Sequence, residues 1–340
     1  MIQNKTVRMM LAIDPSESAL SFNHAKLKEL RQMTDHHEVE LEAVYVAPLH
    51  QTDQDFIRKG LSPKAALQEM MDSFRLNPKV KCTVLKSQTS SQREKVNGLA
   101  NYAKLKKVSI ILLTSHGRKG IKRLVLGSFA ESLMMSASMP VMILGEKSGS
   151  QVLAASTVFS SAAIAQTILY PTDFSVSSRV AFRFLLRQIE LTNTHLILLH
   201  SSVLRTYNYD YGFTSIAGYL PDSYWEVHQS ELVKLSSAWI HEAQKYGIFA
   251  KLILDESEAT KLESIEAIAK ENRISTIALA ANHTHGLLRD LIHSQKFHLW
   301  ICGPHAQAEG MKLDRRLAKP LPPARLTPIF RGKNDQTQSA

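Results

Sequence analysis

The chain has 340 residues, of which 44% are hydrophobic and 21% are charged; this composition excludes a disordered chain, and the length allows two domains of ordinary size. No apolar run reaches the ~18 residues that a membrane-spanning helix requires, and residues 1–14 hold no apolar segment typical of a secretory signal, so we expect none. The net charge of +10 divides into +8 for residues 1–150, −3 for residues 151–310 and +5 for residues 311–340, which does not indicate nucleic acid as a partner.

The sequence of the first half predicts strands that alternate with helices. The strands are apolar and rich in β-branched residues, and the helices repeat their apolar residues every three to four positions. In chain order we expect a strand at Arg8–Asp14, a helix at Ala19–Arg31, a strand at Leu41–Val46, a helix at Pro63–Arg75, a strand at Val80–Lys86, a helix at Gln92–Leu105, a strand at Ser109–Thr114, a helix at Phe129–Ser138 and a strand at Pro140–Leu144. This alternation is typical of βαβ units around a parallel sheet.

The second half repeats the pattern. The expected elements are strands at Thr167–Asp173, Leu196–Ser201, Phe249–Leu254, Ser275–Ala280 and His298–Cys302, with helices at Ser178–Ile189, Asp222–Tyr246 and Lys261–Glu271. The chain therefore predicts an α/β fold of two doubly wound, Rossmann-like parallel-sheet domains in tandem. We assign residues 1–148 to the first domain, 149–165 to a linker, 166–306 to the second domain and 307–340 to a basic, Pro-containing tail that we expect to be disordered.

One segment of the first half carries binding chemistry. In doubly wound sheets, ligands bind at the carboxyl ends of the strands, where Asp14 and Thr114 fall. The segment after Thr114 is basic and contains Gly117, Gly120 and Gly127, which allow backbone amides to approach a phosphate without an intervening Cβ. A helix that begins near Ser128 would direct its free amides and the positive end of its dipole at the same anion.

This segment resembles the nucleotide loop of the universal stress protein family, whose ATP-binding members have Gly-x-x-Gly, nine residues, and then Gly-Ser or Gly-Thr. Here the pattern is Thr114-x-x-Gly117, nine residues, and Gly127-Ser128, so Thr114 replaces the first glycine. The resemblance extends over most of residues 5–146 and implies that Asp14 binds ribose and that the backbone of Val46 contacts adenine. It also implies a tandem member in which the two domains pair through their last strands about a pseudo-two-fold axis.

The resemblance implies an ATP-binding regulatory protein of the stress response, with Mg²⁺ as the candidate ion on the phosphates. We assign to the nucleotide site Asp14, Val46, Thr114, His116, Gly117, Arg118, Gly120, Gly127 and Ser128. The adenine nucleotide is then the expected partner, the two domains form an intramolecular pseudo-dimer, and a homodimer of whole chains is left open. Only two cysteines, Cys82 and Cys302, occur, so we expect a cytoplasmic protein.

The second half keeps an acid at Asp173 but departs from the loop pattern. If Gly120 is aligned with Gly286, histidines replace two glycines, and the distance from Ser294 to Gly303 is shorter than the corresponding one in the first half. We therefore expect that most of the following helix is missing and that the second site is degenerate. The four histidines of that region, at 283, 285, 293 and 298, have no typical metal-ligand spacing, so we expect no metal site there.

Two alternative functions remain open. The chain has no Walker loop, and Ser115 and His116 are neighbours on or just after a strand, so their side chains point to opposite faces and do not form a nucleophile–base pair. We assign no catalytic residue, and slow ATP hydrolysis is one alternative. The other is a nucleotide-free dimerisation or adaptor module of the same fold, favoured by Thr114 at a glycine position and by the degenerate second half.

Overall fold

The computed structural model of the chain describes residues 7–15, 27, 30–31, 39–47, 61–75, 80–88, 91–114, 128–145, 166–189, 194–201, 222–255, 261–281, 285–308 and 329–331. The strands are β1 Val7–Ala12, β2 Val39–Ala47, β3 Lys81–Lys86, β4 Ile110–Thr114, β5 Val141–Leu144, β6 Gln166–Pro171, β7 Thr194–Ser201, β8 Phe249–Asp255, β9 Thr276–Ala280, β10 His298–Cys302 and β11 Ile329–Arg331. The helices are α1 Pro63–Ser73, α2 Gln92–Leu105, α3 Ser128–Ser136, α4 Val176–Ile189, α5 Asp222–Lys245, α6 Lys261–Glu271 and α7 His285–Ser294.

The described strands form one sheet in the order β11-β8-β7-β6-β9-β10-β5-β4-β1-β2-β3. Within the first half, the order from the outer edge inward is β3-β2-β1-β4-β5, and all neighbours are parallel. The second half repeats this order as β8-β7-β6-β9-β10, again with parallel neighbours. This confirms the predicted pair of doubly wound sheets.

The two halves join through their last strands. Strands β5 and β10 are antiparallel, and Met142 lies opposite Trp300 at the middle of the pair. Because an antiparallel pair of otherwise parallel sheets relates the two halves by a rotation, the sheet has a pseudo-two-fold axis at this seam. The seam confirms the expected neighbourhood of residues 140–144 and 299–302.

Each face of the sheet carries a hydrophobic core that continues across the seam. Met142 and Trp300 belong to the core that also contains Leu11 of the first half and Phe182 of the second. Their neighbours in the strands, Val141 and Ile301, point to the opposite face and belong to the other core. Since side chains alternate along a strand, a single sheet supports both cores. The two halves therefore share their cores.

Local sequence explains where several helices begin. Helix α1 starts after Ser62, whose hydroxyl accepts a hydrogen bond from the Ala65 amide at 3.1 Å, and Pro63 occupies the first helical position, where its missing N–H costs nothing.

Helices α2 and α6 match their predicted bounds residue for residue. In α2, Val96, Leu99, Ala100 and Ala103 are buried against the sheet, at the spacing of one helical face.

The expected loss of a helix in the second half is wrong. Helix α7 has 10 residues and α3 has 9. Helix α3 and strand β5 begin at residues 128 and 141, and α7 and β10 begin 157 residues later in both cases, at 285 and 298. Strands β4 and β9 begin 166 residues apart, at 110 and 276. The deletion of nine residues thus lies in the loop between the fourth strand and the helix, and the equivalence of Gly120 with Gly286 is wrong.

The tail, assigned to residues 307–340, departs from the expected disorder at two places: Gln307 and Ala308 are helical, and a three-residue segment further on forms a strand. Ile329–Arg331 forms β11, which pairs parallel with β8 and places Phe330 level with Leu254. An edge strand presents unpaired amides and carbonyls, and a short apolar segment such as Ile-Phe can satisfy them. The expectation of disorder is therefore corrected for residues 307–308 and 329–331. Among the described helices, none combines the length and the apolar character that crossing a membrane would require.

Candidate functional site

Three of the predicted site residues lie at one edge of the sheet. Ala12 of β1 is level with Val44 of β2, so Asp14, which follows β1, and Val46, the second-last residue of β2, lie at the same height. The Ile13 amide donates to the Val44 carbonyl at 3.1 Å, which continues the pairing of β1 with β2 up to Asp14. On the other side of β1, Thr114 ends β4. The structure thus brings the predicted ribose-binding acid and adenine-contacting backbone together beside the last residue before the loop.

Helix α3 begins at this same edge. It connects β4 to β5, which are parallel, so it must run back along the sheet and start at the carboxyl ends of the strands. Its first residue is Ser128, and the free amides of its first turn carry about half a positive charge. This end of the helix is suited to an anion. Five further predicted residues, His116, Gly117, Arg118, Gly120 and Gly127, lie outside the described residues.

The second half places Asp173 where the first half has Asp14. Pro171 of β6 is level with Leu199 of β7, and the Thr172 amide donates to the Leu199 carbonyl at 2.8 Å. This is the same backbone hydrogen bond as that between Ile13 and Val44. The two carboxylates therefore follow equivalent strands at equivalent heights.

The hydrogen bonds of Asp173 are nevertheless made with residues at the start of helix α4. Its Oδ1 accepts hydrogen bonds from the Ser175 amide at 2.9 Å and from the Ser178 hydroxyl at 2.5 Å. Ser175 is the N-cap residue, because its Oγ accepts from the Ser178 amide at 3.2 Å and its carbonyl accepts from the Arg179 amide at 2.9 Å. The acid of the second half is thus engaged by its own helix.

Aromatic side chains cover the same edge of the second half. Phe174 has a φ of 56°, a left-handed conformation that a phenylalanine rarely adopts. Its ring packs on His200, with centroids 5.3 Å apart, and edge-on against Trp239 at 5.2 Å. His200 in turn shares a hydrogen bond of 2.8 Å with the Thr172 carbonyl through Nδ1. Phe174 and His200 therefore pack together beside the carboxyl ends of β6 and β7.

The sequence predicts a capping serine at the start of this helix, Ser175, which the structure confirms, whereas the aromatic cover was missed. The sequence indicates the N-cap, because Ser175 is followed three residues later by a second hydrogen-bonding residue, Ser178, at the start of a segment with helical apolar periodicity. The sequence indicates the cover more weakly: Phe174 stands where the first half has Pro15. The left-handed conformation of Phe174 has no sequence signature.

Two buried cysteines offer no reactive thiol. Cys82 and Cys302 are both free thiols. Burial raises the pKa of each, and for Cys82 the nearby Asp72 raises it further while Lys64 lowers it. Thiols that stay protonated are poor nucleophiles and poor metal ligands. Among the residues that the structure describes, no group of three or more His, Cys, Asp or Glu side chains could hold a metal ion.

A polar groove of about 1060 Å³ runs between α2 and α3. Exposed Asn97 and Asn101 line one wall, Glu131 lines the other, and His305 of the second half closes one end. Its lining residues do not include Asp14 or the other described residues of the predicted site. The groove is therefore separate from the edge where the predicted residues meet.

Comparison with known proteins bears on the family of the first half and on the fold of the chain. Residues 6–145 match the model of the universal stress protein family. The fold is similar to that of a universal stress protein from Archaeoglobus fulgidus DSM 4304, with a TM-score of 0.52 and 17% identity over 89% of this chain and 99% of that chain. It is also similar to a functionally unknown protein from Pseudomonas aeruginosa PAO1, with a TM-score of 0.50 and 11% identity over 92% and 98%.

No curated protein matches the sequence. At identities of 11% and 17%, the two structural neighbours show a shared fold and nothing further. The family match covers the half that holds Asp14, Val46 and helix α3. The universal stress protein family is thus matched by residues 6–145, which make up the first half of the chain.

Proposed function

We propose that this stress-response protein binds ATP, or another adenine nucleotide, at the carboxyl edge of the first half and uses it as a regulatory ligand. The proposal rests on one observation: four features lie at the carboxyl ends of the strands in the first half. They are Asp14 after β1, Val46 near the end of β2, Thr114 at the end of β4 and the start of α3. A nucleotide needs acceptors for its ribose, backbone groups for its base and positive charge for its phosphates, and this edge offers all three.

Each residue has a role that follows from its chemistry. Asp14 accepts hydrogen bonds from the ribose hydroxyls, and the backbone of Val46 faces adenine. Helix α3 from Ser128 and the glycines at 117, 120 and 127 receive the phosphates, with Thr114, His116 and Arg118 beside them. When Mg²⁺ is bound, it neutralises phosphate charge through phosphate oxygens and water.

The second half binds no nucleotide in this proposal. Only four residues, 281–284, connect β9 to α7, against thirteen, 115–127, between β4 and α3. Asp173 is engaged by the cap of α4, and Phe174 covers the edge. The contribution of the second half is the antiparallel seam, which makes each chain a pseudo-dimer. Two free, buried thiols support a reducing compartment, and we propose the cytoplasm.

A nucleotide-free adaptor is the second candidate. It is favoured by Thr114 at the first glycine position of the family pattern and by the filled edge of the second half. A hydrolase would need a general base or a nucleophile near the loop, and we assign none.

Two measurements on the purified full chain, detection of released nucleotide and calorimetry with ATP, distinguish nucleotide binding from the adaptor and hydrolase functions. Mass spectrometry of the supernatant after heat denaturation should detect an adenine nucleotide, and calorimetry should then measure binding of added ATP. Gly127→Val should abolish binding and leave the circular dichroism spectrum unchanged, because a branched side chain blocks the approach of a phosphate. Absence of binding at millimolar ATP would refute the proposal and favour the adaptor, whereas phosphate release at several turnovers per second would favour the hydrolase.

A further inference from the structure

Strand pairing at the inner ends of the two halves is complete, so further strands can be added only at the outer ends. Strand β5 pairs with β10, and across this seam Gln188 Nε2 donates to the Ser109 carbonyl at 2.7 Å while its Oε1 accepts from the Trp300 indole at 2.7 Å. Among the described strands of the two repeated sheets, β3 and β8 lie outermost. The outer side of such a strand presents N–H and C=O groups that another strand can bind.

Strands β3 and β8 are equivalent, and their residues can be matched through their neighbours. Val44 and Leu199 each accept the amide hydrogen bond of the residue that follows the first strand of their half. Val44 is level with Thr83 of β3, and Leu199 is level with Ile253 of β8. Thr83 of the first half therefore corresponds to Ile253 of the second.

The edge at β3 disfavours a second copy of the chain. The strand begins and ends with exposed lysines, Lys81 and Lys86. If two copies paired antiparallel with the four residues between these lysines aligned, Lys81 would lie opposite Lys86 of the partner subunit at both ends. Like charges directly opposite each other destabilise a strand pair, and lysine is a common protection of sheet edges. At the centre, the Thr83 hydroxyl donates to Glu42 Oε1 at 2.6 Å, so this position is polar as well.

The edge at β8 is complementary to itself. Three apolar residues, Leu252–Leu254, lie between Lys251 and Asp255. An antiparallel pair of two copies centred on Ile253 places Lys251 opposite Asp255 of the partner subunit, and the two-fold axis repeats this pair at the other end. Opposite charges across a strand pair are stabilising, and an interface of the same patch on both chains closes at two copies. The sequence of β8 therefore suits a dimer where that of β3 does not.

Strand β11 occupies the same edge within one chain. Ile329–Arg331 pairs in parallel with Ile253–Asp255, and of the strands that the structure describes only β11 lies on the outer side of β8. A second copy needs the same backbone groups, so β11 and a second copy exclude each other. A strand of three residues makes few ladder hydrogen bonds, but it belongs to the same chain, which gives it an effective concentration that a separate copy must exceed.

We propose that the outer edge of β8 is an interaction surface for a second copy of this chain, which pairs through its own β8, and that β11 blocks this surface in cis. Release of β11 exposes the edge, and two chains then form one continuous sheet across a two-fold axis. The inference is independent of nucleotide binding, because this edge lies at the outer end of the second half, away from the candidate site in the first.

The test releases β11 in the full chain with the double variant Ile329→Pro/Phe330→Pro. Alternate residues of a strand face a given neighbour, so the double variant removes a ladder N–H whichever of the two residues donates it. Two further substitutions are made in this background. Lys251→Glu places a carboxylate opposite Asp255 of the partner subunit, and Lys234→Glu is the control, because it makes the same change of charge at an exposed position of α5.

Sedimentation equilibrium from micromolar to millimolar chain measures self-association, and circular dichroism checks that each variant is folded. The dimer Kd of the released variant should be at least ~10-fold lower than that of the unaltered chain, since the competing strand is removed. Adding Lys251→Glu should abolish the dimer, and adding Lys234→Glu should leave its Kd unchanged.

Hydrogen exchange of residues 253–255 reports the state of the edge independently of mass. Exchange should be faster than in the unaltered chain when the released variant carries Lys251→Glu and is monomeric, and slow again in the dimer of the released variant. If the double proline variant does not fold, Phe330→Asp replaces it, because aspartate is unfavourable in strands.

Three results would overturn the proposal. A released variant that exchanges faster at residues 253–255 and stays monomeric refutes the pairing of two copies through β8. A dimer that Lys251→Glu weakens no more than Lys234→Glu does is formed by another surface. Unchanged exchange and unchanged mass in the released variant show that β11 does not block the edge.

Discussion

Asp14 and Asp173 occupy the same place in two copies of one fold, but the two halves differ in the length of the connection between the fourth strand and the next helix. Both follow the first strand of their half, one residue after an amide that donates to the neighbouring strand. Asp173 accepts from Ser175 and Ser178 and starts a helix, with Phe174 packed above the edge. Asp14 lies beside the end of a strand from which a thirteen-residue loop leads to α3. The fold thus places an acid at the carboxyl ends of the strands in both halves. The residues around that acid determine whether a nucleotide could bind there.

The largest expected effect is on the free energy of unfolding, and it tests the contact of helix α3 with the second half. Gly303→Ala places a methyl group 1.8 Å from the Met134 carbonyl oxygen, so backbone must move, and we expect a loss of at least ~3 kcal/mol in unfolding free energy. Gly98→Ala is the control, because nothing lies within 4 Å of a Cβ there and alanine favours the helix by up to ~1 kcal/mol.

Urea denaturation of both variants checks this prediction. Gly98→Ala should be slightly more stable than the unaltered chain, and Gly303→Ala should unfold at a clearly lower urea concentration. Equal stability of the two variants would contradict the close contact of α3 with the second half.

The next effect separates the two acids. Asp14→Ala should raise the Kd for ATP about 10- to 100-fold, because a charged acceptor of ribose hydrogen bonds contributes ~1.5–3 kcal/mol. Asp173→Ala should leave that Kd unchanged and lower the unfolding free energy by ~1 kcal/mol through loss of the hydrogen bonds at the start of α4. Calorimetry and thermal unfolding measure the two quantities. The comparison fails if both variants lose affinity to the same extent.

The sequence predicts most of the framework because apolar periodicity is strong in buried helices and strands. Helices α2 and α6 follow their predicted bounds. The seam at β5 and β10 was expected from the family resemblance and not from periodicity. Helix α7 was missed because Gly286 served as an anchor for the loop, although it lies inside the helix. The deletion could be placed only once two strands and a helix gave independent positions.

The site could be predicted only in part. Asp14 and Thr114 follow from strand ends in a parallel sheet, and Val46 follows from the family resemblance. The structure places the three at the same ends of neighbouring strands, and their role in binding stays a prediction. The contact of Gln188 with Ser109 and Trp300 joins residues 79 and 112 positions apart, and no local pattern indicates it. Strand β11 depends on the free edge of β8, which is a property of the assembled sheet.

The smallest effect compares the two cysteines in alkaline solution. Burial raises the pKa of Cys302 above its ordinary value of 9.0, so the unfolded chain ionises first. Stability is therefore fully present below pH 9 and is lost as the pH rises above it, by up to ~1.4 kcal/mol per pH unit for one thiol. Cys302→Ala should flatten the decline between pH 8 and pH 10, and Cys82→Ala, at a less buried thiol, should flatten it less. Equal pH profiles for both variants and the unaltered chain would contradict this.

The number of nucleotides bound per chain tests the account most directly. Calorimetric titration of the full chain with ATP should give one site per chain, and Asp14→Ala should weaken that site whereas Asp173→Ala should not. Two equivalent sites per chain, or one site that is lost in Asp173→Ala and kept in Asp14→Ala, would contradict the assignment of binding to the first half.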